Sequence, residues 1–310
     1  MWPRDDPADA FVLGANLPWI GYGTDFGSNA WSPKGGLAAD GDRLARLNET
    51  FARLSADGIS LVRVFLLCDA RSGVRFDREG LPVGVDDALF ADVDALMASA
   101  RHHRIRIVPA VFDFHLCNPA RVIDAVQVGG RSHLITTGEG RRALVDAVLA
   151  PIVRRYAHEN AIAAWDVMNE PEWCLRLASS RDVRDPFGAL QTFLEAAVRC
   201  IRAHATQPVT VGSAGTWQLD LVRPLGLDFY QVHWYERFGW PRLAQPVSQL
   251  ALDRPVVLGE FSGRMARVSR VLDTARQAGY NGAFVWSVLA DDDQSGYPGE
   301  FAIWGSRLRA

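Results

Sequence analysis

Ala164-Trp165-Asp166-Val167-Met168-Asn169-Glu170-Pro171 is the stretch on which the reading of this chain turns. An apolar run rich in strand formers ends abruptly in Asn-Glu-Pro. That pattern describes a buried strand delivering an amide and a carboxylate to its own carboxyl end, where Pro171 stops regular pairing. Further on, Pro255-Val256-Val257-Leu258-Gly259-Glu260-Phe261 again runs from apolar strand to glutamate. Two strand-end glutamates suggest an acid and a nucleophile.

Strand-like runs and helical patterns alternate on either side of these two. The strands read as Phe11 to Asn16, Leu61 to Leu66, Arg106 to Val111, Ile162 to Met168, Pro208 to Gly212, Asp228 to His233, Val256 to Gly259 and Gly282 to Ser287. Between them, Gly41 to Ala56 carries Leu44, Leu47, Phe51 and Leu54 at helical spacing, and Ala88 to His103 and Phe187 to Ala203 read the same way. Gly138 to Tyr156 is also helical, with Pro151 expected to kink or divide it. Leu219 to Leu225 holds at most a short helix, Met265 to Ala278 is the last clear one, and the Asp-, Gly- and Pro-rich tail after Leu289 reads as loop. Eight apolar strands alternating with helices imply a parallel α/β sheet. At 310 residues a closed TIM (β/α)8 barrel with elaborated βα loops is favoured over an open sheet. No dinucleotide glycine fingerprint, composition break or linker is present, so residues 1–310 are expected to form one domain.

With 48% hydrophobic residues the chain can bury a full core, and its net charge of -3, without runs of like charge, gives no reason to expect a nucleic-acid or membrane partner. Neutral molecules are the expected partners, and a monomer the expected state. The N-terminus lacks the apolar core of a signal peptide, and no stretch reaches the roughly 20 apolar residues of a membrane span. A soluble protein is expected, cytoplasmic or secreted with its leader removed. Cys68, Cys117, Cys174 and Cys200 are too few for a disulfide scaffold. Free thiols are expected. A Cys68–Cys117 disulfide in a secreted protein, or zinc on Cys68, Cys117, Cys174 and His115, are the alternatives, although no ligand pair has the tight spacing of a metal knuckle.

In such a barrel the active site lies at the carboxyl ends of the strands. The side chains delivered there are Asn16 with Trp19, Arg63, Asp113 with His115, Asn169 with Glu170, His233-Trp234-Tyr235, Glu260 and Trp286. A core alone would not need so polar a set. Asn-Glu-Pro after strand four, His-Trp-Tyr after strand six, Gly-Glu-Phe at strand seven and a tryptophan ending strand eight together resemble a clan A retaining glycoside hydrolase, most of all family 5. The resemblance spans about Phe11 to Trp286, in motifs of two to four residues.

The resemblance implies hydrolysis of β-linked oligo- or polysaccharides of glucan or mannan type by double displacement, with no cofactor and no metal. Glu170 would be the general acid and base, and Glu260 the nucleophile. Tyr235 is similar to the tyrosine that hydrogen-bonds the nucleophile, and Asn169 to the amide that meets the sugar 2-hydroxyl. His115 and His233 resemble histidines lining the subsite beside the cut bond, and Trp286 its aromatic floor; Asn16, Trp19 and Trp234 would also face substrate. Arg63 is the candidate to keep Glu260 ionised. The start Asn16-Leu17-Pro18-Trp19 and the lone His115 depart from a typical cellulase.

Each residue has a structural reading as well. A lone strand-end Glu is usually a surface residue or cap, and a lone His a satisfied structural one; the ordered pair on a barrel favours catalysis. Trp173, Trp217 and Trp240 divide evenly between cleft and packing, Trp2 and Trp31 favour packing, and Asp291, Asp292 and Asp293 either meet sugar or cap a loop. A non-catalytic carbohydrate-binding barrel is the alternative function. A metal-dependent hydrolase lacks the His-x-His pair expected at strand one, which reads Gly14-Ala15-Asn16. The loops from Asn118 to Thr137 and Cys174 to Pro186 are expected to shape the subsites.

Overall fold

Strands that lie between a barrel interior and a jacket of helices are apolar on both faces, and so read as continuous hydrophobic runs. The computed structural model describes residues 11–177, 184–236 and 243–308; Trp2, Trp240 and part of the loop after Cys174 lie outside them. Eight parallel strands, β1 Val12–Asn16, β2 Leu61–Phe65, β3 Arg106–Asp113, β4 Trp165–Asn169, β5 Val209–Ser213, β6 Tyr230–Trp234, β7 Val256–Ser262 and β8 Gly282–Trp286, close into a barrel in sequential order. The expected TIM barrel is therefore what the chain forms. Among the described residues no helix is long and apolar enough to cross a membrane.

Side-chain alternation divides the interior into layers. Leu61, Val108, Phe229, Val257 and Phe284 pack together low in the barrel, while Phe65 and Trp286 pack near the top. Between these apolar layers lie buried Arg63, Asp166 and Gln231. Outside, Val62, Val64, Val211 and Val232 join the helix-facing core. Three strands slip register near their carboxyl ends, between Asp166 and Asn169, Val232 and His233, and Leu258 and Phe261. Such irregularities re-aim side chains beside active sites. Here they fall on the strands bearing the two glutamates and the histidine.

The helices begin where acids cap them. Asp40 accepts from the backbone amides of Asp42 and Arg43 ahead of Gly41–Ala56, and Asp86 from Leu89 ahead of Asp87–His103. The helical stretch through Pro151 is neither broken nor sharply divided. Gly138–Ala143 passes through a π turn, Leu144–Leu149, into Ala150–Arg155. A wider turn ahead of the proline accommodates its ring and its missing donor. Small antiparallel hairpins, Val74–Phe76 with Pro82–Val85 and Arg121–Ile123 with Val126–Val128, build up the loops after β2 and β3.

The tail corrects the sequence reading, because Gly299–Leu308 is a helix. Phe301 is fully buried against Phe261 of β7, with ring centroids 6.2 Å apart. Trp304 meets Phe11 edge-on and donates its indole N–H to Asp273 at 2.8 Å. The two aromatics lie three residues apart on one helical face, a signal masked by the polar approach segment. Phe301→Ala should therefore cost about 3–5 kcal/mol of unfolding free energy in urea titration. An unchanged midpoint would show that this helix does not support the barrel.

Candidate active site

Arg63 rises from β2 with no exposed surface, and its guanidinium holds four partners. Nε donates to Asp166 Oδ2 at 2.8 Å, Nη1 to Glu260 Oε1 at 2.6 Å and to Asn16 Oδ1 at 3.3 Å, and Nη2 to Asn169 Oδ1 at 2.8 Å. Burial alone would favour the neutral guanidine, but Asp166 and Glu260 together raise its pKa, so the charge is retained. Room for the fork comes from Gly212 on β5, where a Cβ would sit 2.6 Å from Arg63 Nη2 and 3.2 Å from His233 Nε2.

Glu260 is buried at the end of β7, and Tyr235 donates its hydroxyl to Oε2 at 2.6 Å. Burial raises the Glu260 pKa, and His233, Arg63 and the Tyr235 hydrogen bond work against that rise. The tyrosine stays protonated, since burial and the nearby Glu260 push its pKa well above the ordinary phenol range.

Glu170 follows β4 in a left-handed backbone conformation, φ +46°. Its carboxyl meets the Trp173 indole N–H at 2.7 Å on Oε2 and His233 Nδ1 at 2.8 Å on Oε1. Burial pushes its pKa up to about 7; the Trp173 hydrogen bond lowers it and Asp113 adds to the rise. His233 Nδ1 also lies 3.4 Å from Glu260 Oε2, so one ring nitrogen faces both carboxyls. Burial drives the His233 pKa down to about 4, which leaves the ring neutral near pH 7. One oxygen of each glutamate and a His233 nitrogen all lie within 4.8 Å of one another. These three are the one group of metal-ligand type found among the described residues. A cation there would have to share Glu260 with the guanidinium at 2.6 Å and the tyrosine hydroxyl.

Asn169 is wedged between Arg63 and Asp113, donating Nδ2 to Asp113 Oδ2 at 2.9 Å. Asp113 also takes the His115 backbone N–H and faces its ring Nδ1; burial disfavours the charged His115 imidazole, but the Asp113 carboxylate outweighs it and the His115 pKa is raised. Trp286 packs with Trp19, 5.9 Å between centroids, and Phe65, and donates its indole N–H to Asp292 at 2.9 Å. Asp292 also accepts the Gln294 N–H, so it braces the loop that supports Trp286. A cavity of about 590 Å³ beside Glu170 is lined by Phe114, Trp173, Arg176, Trp217, His233 and Tyr235. This places Trp173 and Trp217 in the cleft. Trp31 instead ties two loops, its indole donating to Asp124 at 2.8 Å.

One expected substrate contact is corrected. Asn16 has no exposed surface, donates to the Gly259 and Val285 carbonyls, and accepts from Arg63, so it serves the ionic layer. Trp234 alternates with His233 on β6 and is half-buried, packing one side against the helix-facing core. Asp166 and Gln231, absent from the sequence candidates, complete the ionic layer, with Gln231 donating to Asp166 Oδ2 at 3.2 Å. Their signal was a polar residue inside an otherwise apolar strand. The four cysteines are free, with Cys117 lying beside Cys174, not bonded to Cys68.

Removing the guanidinium would strand two buried carboxylates. Arg63→Met should cost about 3–5 kcal/mol in denaturant unfolding at neutral pH. The loss should shrink as pH falls, because unpaired buried carboxyls have raised folded-state pKa values and the folded state then binds the extra protons. A pH-independent loss would mean that the variant fails for reasons other than charge.

No family model matches the chain. The chain is 27% identical over 330 residues to a mannan endo-1,4-beta-mannosidase of Mytilus edulis, covering 89% of this chain and 83% of that protein. Against one of Cryptopygus antarcticus it is 22% identical over 331 residues, with 92% and 82% covered. The structure superposes on an endo-1,4-beta-mannanase from Eisenia fetida with a TM-score of 0.78 at 24% identity, covering 97% of this chain and 91% of that one. On sequence and on fold alike, the chain is similar along nearly its whole length to clan A glycoside hydrolases, as its strand ends imply.

Proposed function

We propose that the protein hydrolyses β-1,4-linked mannan-type polysaccharides with retention of configuration. Glu260 is the nucleophile and Glu170 the acid, then base. The observation that carries the mechanism is the carboxyl pair, whose oxygens lie within 4.8 Å through the shared reach of His233. Retaining glycosidases hold their carboxyls about 5–5.5 Å apart, whereas inverting ones leave about 6.5–9.5 Å for a water. The mannan substrate and internal cleavage rest on the two curated relatives, both endo-mannosidases.

The environments divide the labour. Glu260 faces a full guanidinium charge and a phenol donor, both at 2.6 Å, which favour its anion and hold it for attack on the anomeric carbon. Glu170, with a pKa near 7, carries the proton that the departing oxygen needs. After glycosylation its carboxylate takes a proton from water as that water attacks the anomeric carbon, breaking the bond to the Glu260 oxygen and freeing Glu260 as its carboxylate. Trp286 forms the apolar floor for the bound sugar, and His115, His233 and Asn169 supply polar contacts around it.

Glu170→Gln should lower kcat on mannan by about 10²–10⁴-fold, and Glu260→Ala should abolish turnover. Proton NMR of the first product should show the β-anomer. For the native protein kcat/KM should fall as pH rises through about 7, where Glu170 loses its proton. A panel of mannan, glucomannan and cellulose with product chain lengths recorded tests the substrate; release of sugars from cellulose alone would refute the mannan reading.

A further inference from the structure

The turn that presents Glu170 also brings an aromatic ring back over it. Trp173 N donates to the Glu170 carbonyl at 3.1 Å and Cys174 N to that of Pro171 at 2.9 Å, starting the helix Glu172–Leu177 directly after the catalytic turn. Residue i+3 thereby lies above residue i, and the indole edge reaches Glu170 Oε2 at 2.7 Å. The ring is bracketed by Phe114 at 6.5 Å, Trp217 at 5.8 Å and the Arg176 guanidinium at 4.8 Å. Behind it, buried Glu172 holds the backbone N–H of Ala214 at 3.0 Å and fixes the turn to the end of β5.

The same ring lines the 590 Å³ cavity, whose lining includes Glu170 but not Glu260. A leaving oxygen must sit beside the acid, and this cavity offers the room for the departing sugar there. Sugar rings stack on indoles through their apolar faces. One side chain therefore touches the acid and lines the space a leaving group would occupy.

We propose that Trp173 is a positioning residue for the general acid: its indole N–H pins one oxygen of Glu170, directs the catalytic proton to the other oxygen, and links the acid to the leaving-group subsite. The proposal rests on the reading of Glu170 as the acid. An indole nitrogen only donates, so Oε2 must accept and cannot aim a proton at Trp173. A donor held on a carboxyl favours the ionised form, which places Trp173 in opposition to burial. The other groups facing Glu170 are Arg63 from β2, Asp113 and His115 from the end of β3, His233 and Tyr235 from β6 and its exit, Glu260 from β7, and Glu172 from the same turn. None of them contacts Oε2 as Trp173 does.

Trp173→Phe keeps an aromatic ring and removes the donor, and Trp173→Leu removes both. With mannotetraose, the alkaline limb of kcat/KM should move upward by roughly one pH unit in both variants, as expected for losing a hydrogen bond to a charged group. Hydrolysis of a 2,4-dinitrophenyl β-mannoside, whose leaving group needs little protonation, should lose several-fold less kcat/KM in Trp173→Phe than hydrolysis of mannotetraose does, and an equal loss on both substrates would count against a role through the acid. Unmoved alkaline limbs in folded variants would overturn the proposal and leave Trp173 as a stacking surface alone. Glu170→Gln separates the parent reading: it should erase the alkaline limb with mannotetraose and give, with the dinitrophenyl substrate, a fast burst of dinitrophenol followed by slow turnover, because the base for deglycosylation is lost; a retained limb would sink the acid assignment and this inference together.

Discussion

A guanidinium buried without exposed surface is the constraint around which the barrel top is arranged. Taking a charge out of water costs several kcal/mol unless excellent geometry compensates. Arg63 meets that condition by spending its fork on two carboxylates and two amide oxygens. The partners come from β1, β4 and β7, so one side chain fixes the separation of strands on opposite sides of the barrel. Asn16, Asp166 and Gln231 support this layer, and Gly212 leaves it space. The nucleophile is held as part of a structural ion network, which gives it little freedom to turn away.

Glu170 stands outside that network. Among the described residues its carboxyl hydrogen-bonds to a neutral imidazole and an indole, with Asp113, Arg63 and His115 nearby, and it lies on a turn instead of within a strand. The difference between the two glutamates thus arises from where the chain places them. One is embedded among compensating charges at a strand end, the other one residue past a strand among apolar rings. The register slips on β4, β6 and β7 let strands of ordinary pleat aim Glu170, His233 and Glu260 at a common point.

Much of this was legible in the chain. Runs such as Ile107 to Val111 are apolar on both faces and follow capped helices, so they stand out without an alignment. Arg63 and Glu260 were paired on charge alone, and the structure joins them at 2.6 Å. Trp234 is harder to read, because its neighbours His233 and Tyr235 both line the cleft while the strand's alternation turns the middle residue toward the helices, where it is half-buried. Asp166 was overlooked because Trp165 and Val167 flank it, and a single acid in an apolar run carries no periodic signal. Asn16 reads as a sugar ligand until burial shows its amide already committed. The final helix was hidden by the Asp- and Gly-rich segment ahead of Phe301.

The left-handed backbone at Glu170 sets a boundary on how stable this fold can become. Glutamate has no local compensation in that conformation, whereas glycine and asparagine adopt it readily. A sequence selected for stability alone would drift toward one of those residues there and relax the turn, and in doing so would lose its acid. At Glu170 relief and reactivity exclude each other, so the thermal optimum and the chemical optimum of this chain are different sequences.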